Sequence, residues 1–181
     1  MKLRKYILTV LCMIIGTVTA MADFAFSKDG YDFRAYAHAG AYKNSAGIYG
    51  ISEEALEKVQ NSDGVLTFPN TVEYEGTTYT AWKIGGQEFW CNHRYNEGFQ
   101  KAGIKEIIIP DSICGIDGNI FLDLPDLKKL TIGKSLQTIG YGNFYDIQSL
   151  RTIRFIERDE NVGLTLLLDA FKTHLCWRTC M

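Results

Sequence analysis

The chain has 181 residues, 46% of them hydrophobic and 22% charged, with a formal net charge of -2. That composition excludes a disordered tail, a collagen-like fibre and a disulfide-dense miniprotein, and 19 basic against 21 acidic residues leave no electrostatic footprint for nucleic acid. Seventeen glycines, ten tyrosines and ten phenylalanines beside only three prolines favour turn-rich β structure with large side chains packed between strands.

The N-terminal segment reads as an address. Lys2, Arg4 and Lys5 precede an apolar run from Ile7 to Val18, which is long enough for a secretory core and short for a membrane span. Ala20-Met21-Ala22 then supplies small residues at an A-x-A site. Cleavage after Ala22 would leave 159 residues beginning at Asp23, with 16 basic and 21 acidic residues and a net charge of -5. Cys12 lies inside the apolar run, a poor place for lipidation, and an uncleaved anchor is the weaker alternative.

Residues 23–63 do not repeat and are expected to form a mixed N-terminal cap. Tyr31, Phe33 and Tyr36 suggest a strand or two, and Gly47 to Ile51 another. Ser52-Glu53-Glu54 opens a short helix to about Gln60: the serine is a good N-cap, the acids suit the positive helix end, and Ile51 can staple against Leu56.

From residue 64 to the C-terminus the chain becomes periodic. The period is clearest where IKEIIIPDSICGIDGNIFLDLPD (104–126) is followed by LKKLTIGKSLQTIGYGNFYDIQS (127–149), an offset of 23 residues. Only six pairs are identical, yet Ile107 meets Leu130, Ile109 meets Ile132, Ile116 meets Ile139 and Phe121 meets Phe144. A third copy begins at Leu150. Short strands are expected at 105–109, 128–132 and 151–155, with Ile107 and Ile109 facing inward, glycines such as Gly115, Gly118, Gly133 and Gly140 at the corners, and a phenylalanine plug filling each coil. A coil of this length cannot bury its own apolar face, so copies must stack. Upstream, Leu66 to Val72 and Ile84-Gly85 with Phe89 read as an earlier copy, interrupted near 73–83 by a hairpin turning at Glu75-Gly76. Downstream, Leu166 and Ala170-Phe171 read as the end of one more copy, giving about four repeats and an uncapped C-terminal end.

The phrases IIIPDSICGIDGNIF and LTIGKSLQTIGYGNF resemble the BspA-like leucine-rich repeats, whose 23-residue unit runs approximately L-x-x-I-x-I-P-x-S-V-x-x-I-G-x-x-A-F. Ile120 and Asn143 depart from the family's usual alanine, and Asp117 from its usual glycine. The resemblance implies a short leucine-rich-repeat solenoid, mainly β or α/β, of the kind found in secreted and surface proteins of gut and oral anaerobic bacteria. It implies an adhesin-like, non-catalytic module that binds a protein or glycan, such as a host matrix or envelope component.

On such a scaffold the outward strand positions are the candidate ligand contacts: Glu106 and Ile108, Lys129 and Thr131, Thr152 and Arg154, stacked about 4.8 Å apart. Tyr79 and Tyr95, in the hairpin and the following insertion, form a second candidate patch. No cofactor, metal site or nucleic-acid partner is expected. His174, Cys176 and Cys180 lack the fourth ligand of a structural zinc site. After cleavage Cys91, Cys114, Cys176 and Cys180 allow three disulfide pairings, among which the sequence does not choose. Two further functions compete with adhesion: an envelope structural component self-associating through the uncapped C-terminal end, and, more remotely, a hydrolase using Cys91 with His93 or Cys176 with His174.

Overall fold

The computed structural model describes residues 23–36, 43–85, 98–99, 101–145, 147–157, 163–166 and 170. The leader, Cys91, Cys176, Cys180, the three histidines, Tyr95 and the outer plugs Phe89 and Phe171 lie outside that set.

Three strands open the chain: β1 (Phe24–Lys28), β2 (Tyr31–Tyr36) and β3 (Ser45–Ile51). The first two make an antiparallel hairpin turning at Asp29-Gly30, both in the left-handed region, and β2 pairs antiparallel with β3. Helix α1 (Glu53–Asn61) follows, with Ser52 as N-cap accepting from the Ala55 amide at 3.2 Å. Its Ala55, Leu56 and Val59 fall on one buried face, as i, i+1 and i+4 positions do. The serine therefore caps the helix as the sequence predicts, and Ile51 and Leu56 are both buried in the core; β1 is an additional strand.

The repeats then alternate between two sheets. Strands β4 (Val65–Thr67), β7 (Glu106–Ile109), β9 (Lys129–Ile132) and β11 (Thr152–Phe155) form a four-stranded parallel sheet. Its pairs Leu66–Ile107, Ile107–Leu130 and Leu130–Ile153 reproduce the register read from the sequence. The returning segments β8 (Gly115–Ile116), β10 (Thr138–Ile139) and β12 (Thr165–Leu166) stack in parallel beside β6 (Thr77–Ile84), through Ile84–Ile116, Ile116–Ile139 and Ile139–Leu166. The other edge of β6 pairs in parallel with β3, so the cap strands and the returning segments belong to one sheet. Strand β5 (Thr71–Tyr74) folds back antiparallel on β6 across Glu75-Gly76, both with positive φ, the geometry of a two-residue hairpin turn. The fold is thus mainly β, a short solenoid with parallel repeat strands.

The space between the sheets is filled as the inward positions require. Ile107, Ile109, Leu130 and Ile132 from one sheet face Ile84, Ile116 and Ile139 from the other, and all are buried. Down the middle runs an aromatic column: Phe144 stacks on Phe121 at a centroid distance of 5.1 Å, and Phe121 in turn contacts Phe68 at 5.9 Å and Phe99 at 6.0 Å. Both plugs are fully buried, as expected for residues that set the coil's interior size.

Two of the three departures from the resembled repeat pattern, Asn143 and Asp117, are explained by contacts between coils. Asn143 is buried, and its Oδ1 accepts from the amides of Ile120 (2.9 Å) and Phe121 (3.1 Å) while its Nδ2 donates to the carbonyls of Asp117 (2.6 Å) and Gly140 (3.0 Å). One side chain thereby satisfies two donors and two acceptors at a corner where no ladder reaches them. Asp117 occupies a position held by glycine in the coils on either side, Gly85 and Gly140. A Cβ at Gly85 would lie 2.4 Å from that of Asp117, and one at Gly140 would lie 2.3 Å from the Gly118 amide nitrogen. A side chain is tolerated at Asp117 because its neighbour has none; Asp117 then pairs with Lys83 at 2.8 Å.

Candidate functional surface

The outward face of the four-stranded sheet is built in rows, one residue per coil. Pairing sets Val65, Glu106, Lys129 and Thr152 in one row and Thr67, Ile108, Thr131 and Arg154 in the next. Thr67, Thr152 and Arg154 are exposed, and Glu106, Ile108 and Lys129 are half-buried. Four of the six outward positions expected as contacts are therefore modified by their neighbours rather than fully free.

Glu106 and Lys129 are engaged with each other: the Lys129 ammonium is 2.8 Å from the Glu106 Oε1, which also accepts from the Thr131 hydroxyl at 3.3 Å. Alternation predicts that Thr131 faces solvent, and it does not; it is 8% exposed, because Glu106 leans across it from the adjacent strand and the strands on both sides close over a short side chain. The accessible part of the face is accordingly Thr67, Thr152 and Arg154, grouped around an internally neutralised centre.

Tyr79 is a second correction. It is 7% exposed and forms part of the cap's aromatic core, with Phe24 edge-on at 6.0 Å and Phe26 tilted at 5.8 Å. On β6 it alternates inward with Ala81, so the hairpin presents Thr78 and Thr80 to solvent instead. The other ring of that patch, Tyr95, is among the residues not described.

One set of surface residues escapes the alternation argument because it lies just before the strands. The 23-residue offset places Lys105, Lys128 and Arg151 in one column. The Lys128 amide donates to the Lys105 carbonyl at 2.8 Å, and the Arg151 amide to the Lys128 carbonyl at 2.9 Å, so the three stand at strand spacing, all exposed. The repeat register alone reveals them once every position, and not only the strand interior, is compared for charge.

Among the described residues no group of three His, Cys, Asp or Glu side chains is placed to hold a metal ion. Cys114 is a half-buried free thiol directed at the Ser112 carbonyl at 3.7 Å. The pairs Cys91 with His93 and Cys176 with His174 lie outside the described residues. Among the described residues, no helix is long and apolar enough to cross a membrane. At the junction of cap and solenoid, Tyr31 donates its hydroxyl to the Thr67 carbonyl at 2.7 Å, and burial pushes its phenol up to about 12.

Comparison with known proteins fits this architecture. A family model described as a BspA-type leucine-rich repeat region of six copies matches residues 93–167. Two solved structures are similar in fold. One is a leucine-rich cell surface protein from Faecalibacterium prausnitzii, with 23% identity and a TM-score of 0.50, covering 78% of this chain and 34% of that one. The other is a leucine-rich repeat protein from Bacteroides capillosus, with 15% identity and a TM-score of 0.51, covering 74% of this chain and 99% of that one. The chain therefore spans about a third of the Faecalibacterium protein's length. No curated protein matches it.

Proposed function

We propose, from the premise that this chain carries a BspA-type leucine-rich repeat region, that it is a non-catalytic binding module, exported after cleavage near Ala22 and displayed at the cell surface or secreted. Its ligand is a protein or glycan, of the host matrix or the envelope. The observation that carries this reading is the four-stranded parallel sheet, whose register holds outward side chains in fixed rows on a rigid scaffold. Rows of this kind offer an extended surface with little ordering cost on binding. The cell-surface description of the Faecalibacterium protein, which has the same fold, supports the assignment to the surface.

The test is an array of matrix proteins and glycans probed with the mature chain and with a Thr152→Ala/Arg154→Ala double variant. Binding that falls at least about tenfold in the variant, the scale of a modest interface contact, supports the reading; no ligand above background opposes it. N-terminal sequencing of exported protein should begin at Asp23. An intact Met1 would remove the cleavage.

A second reading is favoured by one observation. Among the described residues β11 and β12 form sheet edges, and Phe155 and Leu166 on them are 50% and 51% exposed. An apolar edge suits an envelope component that self-associates there. Sedimentation showing a monomer at high concentration would dismiss it.

A further inference from the structure

We infer that the corner column Lys105, Lys128 and Arg151, together with Arg154 beside it, is a binding strip for a linear polyanionic glycan whose charges recur along its chain. This deepens the strand-face proposal and rests on it. The column runs perpendicular to the strands, along the stacking direction, with one basic residue per coil whose backbone is held about 4.8 Å from the next by the interstrand amide–carbonyl bonds. The equivalent position in the first coil is Gly64, where a Cβ would lie 3.1 Å from the Lys105 Cγ, so the strip begins at Lys105.

Charge on this strip opposes that of the molecule. The column and the two outward rows hold Lys105, Lys128, Lys129, Arg151 and Arg154 against one carboxylate, Glu106, on a chain whose net charge is -2. Glu106 is already matched by Lys129. Among the described residues Lys105 and Lys128 have no ion-pair partner, although Asp63 and Asp126 lie in the preceding corners. The Arg151 guanidinium donates from Nη1 to the carbonyls of Gln148 and Leu150, which holds it at the surface with its other donors unspent. Stacked like charges repel. A periodic anion laid along the column would relieve that repulsion.

The neighbouring surface selects among polyanions. Single-stranded nucleic acid is gripped by aromatic platforms between the cations, and this face offers Val65, Thr67, Ile108 and Thr152 instead. A lipid surface asks for several exposed apolar anchors beside the basic residues; the apolar outward positions Val65 and Ile108 are half-buried, and the exposed ring of Phe155 belongs to the edge strand alone. Threonine hydroxyls beside evenly spaced cations suit a sulfated or uronate-bearing saccharide, whose ring hydroxyls and anionic groups alternate along one edge.

The experiment titrates the mature chain with a heparin-derived hexasaccharide by calorimetry at 50 and 200 mM salt. Binding should weaken with salt. Each of Lys105→Gln, Lys128→Gln and Arg151→Gln should weaken it by about fivefold and lower the log–log salt slope by about 0.7. The triple variant should lose binding while its melting temperature is unchanged, and Lys28→Gln in the cap should have no effect. Hexasaccharide binding that ignores the triple substitution, a fully desulfated saccharide binding equally well, or tighter binding of an oligothymidylate of equal charge or of phosphatidylserine vesicles would overturn the inference. A ligand lost with Thr152→Ala/Arg154→Ala but indifferent to the column triple would leave the strand-face proposal standing and remove the polyanion alone.

Discussion

Strands β9 and β11 have the same length, the same register position in successive coils and the same partner geometry, yet opposite environments. In β9, Leu130 and Ile132 are buried; in β11, Ile153 is half-buried and Phe155 is half exposed. Both make four paired positions with the preceding strand. The difference is that β9 is covered by coils on both sides, whereas among the described residues β11 has one only. Backbone pairing thus propagates along the solenoid whether or not another coil comes next, while burial depends on having two neighbours. Stability should therefore be concentrated in the central coils, where one change is felt on both sides.

The sharpest test removes a plug. Phe121 touches aromatic rings in the coils before and after it, so Phe121→Ala should cost about 3–5 kcal/mol in chemical denaturation. A cost near that of a surface change, below about 0.5 kcal/mol, would mean that the column does not hold the coils together. Asn143→Ala comes next, at about 2–4 kcal/mol, because it restores the family's residue but strands two buried amides and two carbonyls in this corner. Asn143→Asp keeps the acceptor and loses both donors, so it should be no better tolerated at neutral pH.

A smaller effect marks the opposite end, where the cap closes the first coil. Tyr31→Phe should cost about 1 kcal/mol for the lost bond to the Thr67 carbonyl. The pH dependence has a definite sign. The folded phenol titrates at about 12 against 10.0 ordinarily, so its contribution is complete below pH 10 and is lost as pH rises toward 12. The wild type should lose stability across that window more steeply than Tyr31→Phe. Equal slopes in the two proteins would mean that the hydroxyl is hydrated and the cap does not seal the strand.

These features were unequally legible in the sequence. The register was, because inward positions such as Ile107, Leu130 and Ile139 must recur at the coil length if a shared core is to form. The hairpin and the helix start were legible from Glu75-Gly76 and Ser52, whose chemistry is local. The rest depends on neighbours in space. Alternation puts Thr131 outside, but it cannot see a glutamate one strand away leaning over it. Tyr79 reads as an exposed hairpin ring until β1, which the sequence pattern does not reveal, brings Phe24 and Phe26 against it. Asn143 reads as a blemish because a repeat pattern records the residue and not the four groups it answers.

A substitution of similarly small cost separates pairing from burial most directly. Phe155→Ser removes a large ring from the edge strand, yet half of that ring already meets water, so the change should cost less than a third of the Phe121→Ala penalty, or about 1 kcal/mol. Amide exchange should show the same gradient: the amides of β11 should exchange faster than those of β9 at equal temperature, because the edge can open without disturbing the plug column. If Phe155→Ser cost as much as Phe121→Ala, or the β11 amides were protected as strongly as those of β9, the outer coil would be held by contacts beyond its pairing with β9. The stability of the solenoid would then be shared along its length instead of falling toward that edge.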